Sequence, residues 1–276
     1  MEICPAVVVV LYKEKPLSFL YEMGDVPVVI VDNTPNRNLR IKETNIYYIP
    51  LLYNSGIAHA LNVGCEKARL LGCNWILTLD QDSVIPDGIL SKYEDFLNDC
   101  HENVGILCPQ LNMYEGEKKL ISDSYEVINE ALSSGCFISI QAYIQSGGFW
   151  EKLFIDEVDF EFCYHIRTLG YKIIRLNSVV MQHHLGNTKE FKLFGKHLFY
   201  VTNHNYVRHY YMQRNSLYVS NLYRRILPEI SHCSFLSYKV VFKILLFEKD
   251  KIKKIRARYQ GYCDYKNNVF GEYKGL

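Results

Sequence analysis

The sequence predicts an α/β fold built on a mostly parallel central sheet, with its active groups at the C-terminal ends of the strands. Two observations lead there. Short apolar, β-branched runs recur through the first half and are separated by segments of helical period, the alternation that puts helices on the faces of a parallel sheet. One run, Trp75-Ile76-Leu77-Thr78-Leu79, stops abruptly at Asp80-Gln81-Asp82, so a buried strand delivers two carboxylates to a sheet edge.

Ala6 to Tyr12 is the first strand. Val26 to Val31 is the second and ends at Asp32-Asn33-Thr34-Pro35, a strong turn signal. Ile46 to Leu52 reads as a third. Between Gly56 and Leu71 the residues Ile57, Ala60, Leu61, Gly64, Ala68 and Leu71 recur at helical spacing, and Gly72 stops the pattern. The strand ending at Asp80 follows, then a helix from about Pro86, whose proline suits a first turn. Ile106 to Cys108 is a short further strand, and Phe137 to Ile140 is an apolar stretch after the small-residue turn Ser133-Ser134-Gly135-Cys136. From Val158 the residues Phe162, Ile166 and Leu169 share a helical face with Gly170 as C-cap. Tyr171 to Leu176 and Val179 to Met181 read as strands, the latter leading into Gln182-His183-His184-Leu185-Gly186. Near residue 187 tyrosines, histidines and basic residues thicken, so we expect residues 1–186 to form the main domain and 187–276 a helical, basic and aromatic appendage packed on it.

The 276 residues carry a formal charge of only +1, which argues against a chain built to coat nucleic acid. Apolar residues make up 49%, enough for a substantial core. The nine cysteines are scattered singly with no Cys-x-x-Cys pair, the usage of reduced thiols in a cytoplasmic protein. No run approaches the roughly 18 apolar residues of a membrane-spanning helix, and the N-terminus lacks the basic flank of a signal peptide.

Asp80 and Asp82 have the chemistry of a divalent-cation site, because Mg²⁺ and Mn²⁺ take oxygen ligands and are commonly held by one or two carboxylates plus substrate phosphates. Asp-x-Asp alone is also a common solvated turn. The acidic segment Phe154-Ile155-Asp156-Glu157-Val158-Asp159-Phe160-Glu161 opens a helix, where carboxylates are favoured by the helix dipole whether or not they do chemistry.

Four features in order, Asp32-Asn33 after a strand, Asn54-Ser55-Gly56 with Asn62-Val63-Gly64, Asp80-Gln81-Asp82, and the acidic helix start, resemble the inverting family 2 glycosyltransferases of GT-A (Rossmann-like) fold over roughly residues 6–186. Residues 54–64, 154–161 and 208–215 look like the bacterial rhamnosyltransferase branch. The resemblance implies a nucleotide-sugar site at Tyr12, Asp32, Asn33, Asn54, Gly56 and Asp80. It implies Mg²⁺ or Mn²⁺ on Asp80 and Asp82, with Asp82 the direct ligand and His183 of the His-x-x-Gly segment, or else His184, completing the shell. It further implies dTDP-rhamnose as donor, a lipid-linked saccharide precursor of a bacterial surface polysaccharide such as O-antigen as acceptor, and Asp159 as catalytic base. Val158 stands where the family's usual pair begins with Glu, and Asp156 is the reserve base.

Arg208 and Arg214, with Asn215, match phosphate oxygens as guanidinium forks; alternatively they flank an interfacial aromatic stripe of Tyr206, Tyr210, Tyr211 and Tyr218. Residues 239–258 hold eight Lys or Arg against Glu248 and Asp250, a net of +6, interleaved with apolar residues. This basic amphipathic stretch suits an anionic membrane surface, with nucleic acid or a plain solvated face as competitors. The reading is thus a peripheral enzyme on the cytoplasmic face of the plasma membrane, with no nucleic-acid partner. Three rivals stand beside it. A nucleotidyltransferase would bring a glycine-rich basic loop that Leu11-Tyr12-Lys13-Glu14-Lys15 lacks. A noncatalytic nucleotide-sugar-binding assembly protein would not need Asp159, and a nucleic-acid binder would show a steep salt dependence.

Overall fold

The structure, a computed structural model, describes residues 2–14, 20, 23–41, 43–112, 119–182, 189–193, 196–201, 203–230 and 238–275. The chain divides into two compact units. Residues 1–151 with 158–184 form unit 1, and 152–157 with 185–276 form unit 2. The segment 152–157, expected in the first domain, thus belongs with the C-terminal part.

Unit 1 is built on one eight-stranded sheet. Its strands are β1 (Pro5–Leu11), β2 (Val28–Asp32), β3 (Ile46–Pro50), β4 (Trp75–Leu79), β5 (Val104–Asn112), β6 (Tyr125–Ile128), β7 (Cys136–Ser139) and β8 (Lys172–Gln182), in the order β3-β2-β1-β4-β7-β5-β8-β6. The pairs β1/β2, β2/β3, β1/β4 and β5/β8 are parallel. β7 runs antiparallel between β4 and β5, and β6 runs antiparallel on the edge of β8. The helices are α1 (Ile57–Leu70), α2 (Ile89–Asp99), α3 (Ile140–Ser146) and α4 (Val158–Thr168).

Hydrophobicity explains the central strands. Val7, Val8, Val9, Val28, Val29 and Ile30 are wholly buried, as expected of parallel strands covered on both faces, and each such side chain contributes about 1.5–3 kcal/mol. Helix α1 lies close on β1 because Gly64 has no side chain: a Cβ there would meet Val8 Cγ1 at 2.4 Å. Asn62, two residues earlier, accepts from Phe149 N at 2.8 Å and donates to Phe149 O at 2.9 Å, pinning the Gly147-Gly148 turn to α1. The Asn62-x-Gly64 motif is therefore scaffolding.

Three local expectations are corrected. α2 starts at Ile89 after the left-handed Gly88, not around Pro86. The two expected strands Tyr171 to Leu176 and Val179 to Met181 form one irregular strand, β8 (Lys172–Gln182), whose register shifts opposite Pro109 and Gln110. Ile140, the last residue of the expected apolar stretch, instead opens a helix, because Ser139 Oγ accepts from Ala142 N and caps α3.

Unit 2 contains a two-stranded antiparallel hairpin, β9 (Lys189–Leu193) and β10 (Lys196–Val201), so the appendage is not purely helical. Helices α5 (Tyr206–Tyr223), α6 (Tyr238–Phe247) and α7 (Lys251–Lys266) follow. α5 and α7 approach closely at Gly261, where a Cβ would fall 2.6 Å from Tyr210 O. Tyr210 and Tyr211 are 1% and 2% exposed and pack with Ala257, so they are core and not an interfacial stripe.

Candidate active site

In unit 1 the strand order reverses between β1 and β4, since β2 and β3 lie to one side of β1 and β4 lies to the other. Ligands bind open α/β sheets at such a reversal, outside the strands' C-terminal ends. The loops leaving β1, β2 and β4 meet there. Tyr12, 38% exposed, leaves β1, and its N–H donates to Gln81 Oε1 at 2.8 Å. The middle residue of the Asp-x-Asp triplet thus ties the tip of β4 to the exit of β1. Asp80 is half-buried and Asp82 exposed. Beyond them the buried Ser83 Oγ lies 2.7 Å from Ser134 Oγ, and Val84 bridges to Gln182 at the end of β8. His183 and His184 lie outside the described residues, so their expected part in the metal shell is not placed.

The Asp32-Asn33 corner differs from its expected role. Asp32 is wholly buried, and both carboxylate oxygens accept two bonds. Oδ1 takes Thr34 N at 3.0 Å and Arg37 Nη2 at 2.8 Å; Oδ2 takes Arg37 Nε at 2.5 Å and the Tyr48 hydroxyl at 2.6 Å. A carboxylate offers about four acceptor positions, so all are filled and direct contact with a nucleotide is corrected to a structural role. Burial would raise this carboxyl, but the bonds from Arg37, Tyr48 and Thr34 outweigh it and hold it below the usual range. Burial and the bond to Asp32 push the Tyr48 phenol up to about 12. Asn33, 4% exposed, accepts from Ser55 N at 2.7 Å and donates to Asn54 Oδ1 at 3.1 Å. Asn54 Oδ1 also accepts from Gly56 N at 3.2 Å. Gly56 stands at φ 85°, ψ 161°, a region essentially reserved for glycine. Asn33, Asn54 and Gly56 therefore shape the loop ahead of α1.

Asp159 sits in the first turn of α4, and its Oδ2 accepts from Ser133 N at 3.3 Å. Ser133 is fastened to the Asp-x-Asp strand, because its carbonyl accepts from Thr78 Oγ1 at 2.5 Å. A second link runs through Cys136, the register partner of Thr78. Its thiol is pushed well above its ordinary range, chiefly by burial and further by negative charge that includes the carboxylates of Asp159 and Asp80. Sequence reasoning named Asp80 and Asp159 but missed Thr78 and Ser133, which connect Asp159 to the strand of Asp80, and the tie of Gln81 to Tyr12; the polar Thr78 inside an apolar strand is the signal that marks the connection.

In unit 2, Asp156 is 9% exposed and paired to Arg208 through Nη2, with Nε at 3.3 Å. Arg214 is wholly buried. It donates to the carbonyls of Leu153 at 2.9 Å, Gly271 at 2.8 Å and Lys152 at 3.4 Å, and its guanidinium lies over the rings of Tyr210 and Tyr211. Asn215, also wholly buried, donates through Nδ2 to the carbonyls of Leu153, Ile155 and Asp156 at 2.9, 2.7 and 2.9 Å. These bonds hold a segment in which Phe154, Asp156 and Glu157 all adopt positive φ, at 69°, 63° and 65°, each a strained state for a residue with a side chain. Arg214 is thereby reassigned from a phosphate ligand to a backbone clamp, and Asp156 carries an ion pair.

Among the described residues no group of three or more His, Cys, Asp or Glu could hold a metal. Asp80 and Asp82 supply hard oxygen ligands of the kind Mg²⁺ and Mn²⁺ take when phosphates complete the shell.

A parallel half-sheet with an Asp-x-Asp at its reversal point, and a helix-borne carboxylate fastened to the same strand, is the arrangement of the GT-A fold seen in glycosyltransferases. No family model matches the chain. In sequence it is similar to the dTDP-rhamnosyl transferase RfbF of Shigella flexneri, 28% identical over 215 residues that cover 68% of this chain and 69% of that protein. In fold it is similar to S. aureus TarS 1-349, solved in complex with UDP-GlcNAc, at a TM-score of 0.58 and 16% identity over 97% of this chain and 83% of that one. It is also similar to GalNAc-T7, solved with UDP, GalNAc and Mn²⁺, at a TM-score of 0.55 and 12% identity over 97% of this chain and 56% of that one. The last two likenesses are of fold alone.

Proposed function

We propose that the chain transfers L-rhamnose from dTDP-rhamnose, with inversion, to a lipid-linked saccharide on the cytoplasmic face of the plasma membrane. The donor rests on the similarity to the Shigella flexneri protein. The observation that carries the mechanism is the fastening of Asp159 through Ser133 to Thr78, two residues before Asp80. Asp159 takes the proton of the acceptor hydroxyl as that oxygen bonds to the anomeric carbon, while the bond from that carbon to the nucleoside diphosphate breaks. Asp82, with Asp80, would hold a Mg²⁺ or Mn²⁺ that offsets the leaving group's charge. Tyr12, exposed at the exit of β1, is the side chain offered to the nucleotide.

The membrane reading rests on α6 and α7. No described helix is long and apolar enough to cross a bilayer. Phe242, Leu245 and Leu246 of α6 are 59%, 46% and 54% exposed and Ile252 of α7 is 75% exposed, among exposed Lys239, Lys249, Lys251, Lys253 and Arg256. An apolar face flanked by lysines suits the surface of an anionic bilayer. Lys254 and Arg258 do not contribute, because both are buried and Lys254 bonds Glu248 and Asn203.

The test is consumption of dTDP-, UDP- and GDP-sugars by the purified chain with and without Mn²⁺. Preferential hydrolysis of dTDP-rhamnose supports the proposal; consumption of none of them sinks it.

A further inference from the structure

Unit 1 contains a cavity of about 490 Å³ with Lys119, Ile128, Glu130, Leu132, Phe160 and Arg175 in its wall. Its volume lies within the range of small-molecule sites, roughly 300–1,000 Å³. Two of its walls flank the proposed base along the chain. Phe160 follows Asp159 directly, and Leu132 precedes Ser133, whose N–H holds the Asp159 carboxylate. We propose that this cavity receives a neutral sugar ring of the acceptor, an inference that rests on the glycosyltransferase reading and adds where the second substrate sits.

The lining has the mixed character that a pyranose needs. Phe160, Ile128 and Leu132 are half-buried and offer apolar surface to the ring's C–H face. Polar groups stand among them. Glu130 is exposed, and its Oε2 accepts from the Tyr164 hydroxyl at 2.5 Å. Arg175 donates through Nη2 to Glu126 at 2.7 Å, while its buried Nε has no hydrogen-bond partner. A buried donor left without an acceptor is unfavourable, and a sugar hydroxyl oxygen supplies one. The charges favour a neutral ligand over a diphosphate. Lys119 and Arg175 share the lining with Glu130, and Arg175 is paired to Glu126, so no cationic surplus of the kind phosphate sites need is assembled.

The test uses the full chain and methyl glycosides of L-rhamnose, N-acetylglucosamine, galactose and glucose, with binding read by saturation-transfer NMR and dTDP binding read separately. The expected result is that at least one glycoside binds alongside dTDP. Ile128→Trp, which fills the cavity without touching a charge, should weaken that glycoside at least about tenfold and leave dTDP affinity within about twofold. The proposal is overturned if no glycoside binds, if binding survives the filled cavity, or if the glycosides and dTDP displace one another. Should circular dichroism show that Ile128→Trp does not fold, Glu130→Ala at an exposed position takes its place under the same criteria. Failure of the glycosyltransferase reading looks different: the wild-type chain would neither bind nor hydrolyse any nucleotide sugar.

Discussion

The backbone N–H of Ser133 donates to Asp159 Oδ2 at 3.3 Å, and the same residue's carbonyl is held by Thr78 on the strand that ends in Asp80. One oxygen of Asp159 is thereby oriented by a main-chain donor. Asp159→Asn preserves shape and removes the base, so turnover of dTDP-rhamnose should fall about 10²–10⁴-fold with dTDP affinity nearly unchanged. Nucleotide release and calorimetric dTDP binding measure the two quantities, and retained turnover would rule out the assignment.

Asp82 stands exposed at the tip of the loop after β4, where its substitution leaves the core intact. Asp82→Asn should lower activity about 10²-fold and raise the Mn²⁺ concentration needed for half-maximal rate, while the melting temperature stays within a degree or so. Chelation of the wild type with EDTA should give the same loss, reversed by Mn²⁺ or Mg²⁺. Full activity in EDTA would refute metal dependence.

Asn215 satisfies three backbone carbonyls with a single amide nitrogen inside unit 2. Asn215→Ala leaves buried acceptors unpaired beside three residues of positive φ, and it should destabilise the chain by about 2–4 kcal/mol. Chemical denaturation reads this directly; a change under about 0.5 kcal/mol would show that the clamp is not needed.

His209 is 4% exposed, with Nε2 3.0 Å from Glu248 Oε2 and Nδ1 3.4 Å from Arg258 Nη1. Burial holds its pKa well below the ordinary 6.5, against the attraction of Glu248. The folded state thus binds fewer protons than the unfolded chain once pH drops below 6.5, so stability declines with falling pH from there. Glu248, held low by Lys254 and His209 against the effect of burial, adds to the decline below its ordinary 4.5. His209→Gln should flatten the slope between pH 6.5 and 5 in a urea titration series; an unchanged slope would remove His209 as its source.

Exposed Phe242, Leu245 and Leu246 should carry the chain to anionic vesicles. Sedimentation with phosphatidylglycerol-containing vesicles is expected for the wild type, with much less binding to pure phosphatidylcholine. The triple serine variant should lose most of it, because each buried apolar side chain is worth about 1.5 kcal/mol or more. Equal sedimentation of wild type and variant would count against the membrane reading.

The fold was legible where hydrophobic period is strong. β1, β2 and β4 fall within a residue or two of their expected places because runs of fully buried valine, isoleucine and leucine admit little else. The direction of β7 was not legible. Its four residues, Cys136-Phe137-Ile138-Ser139, are buried on both faces in either direction, and only pairing with both β4 and β5 makes it antiparallel. Short polar-edged strands such as β6, mostly exposed on the sheet edge, carry no apolar run to read.

Site residues divided along the same line. The acids at Asp80, Asp82 and Asp159 could be picked out because carboxylates at the end of a buried strand or the start of a helix stand out against their neighbours. Asp32 and Arg214 were picked out for the same reason, yet their partners, Arg37 and Tyr48 in one case and main-chain carbonyls in the other, turn them into structural groups. Spacing along the chain does not say whether a charged group's hydrogen bonds are used by the protein itself.

By itself the sequence determined the fold class, the parallel first half and the carboxylates that stand at strand and helix ends, because burial period and local turn chemistry are written in neighbouring residues. Tertiary structure alone decided which of those charges remain available for chemistry and which are spent. That depends on contacts such as Ser133 with Asp159, Tyr48 with Asp32 and Asn215 with Asp156, made between residues 16 to 59 positions apart, whose hydrogen bonds exist only once the chain has folded.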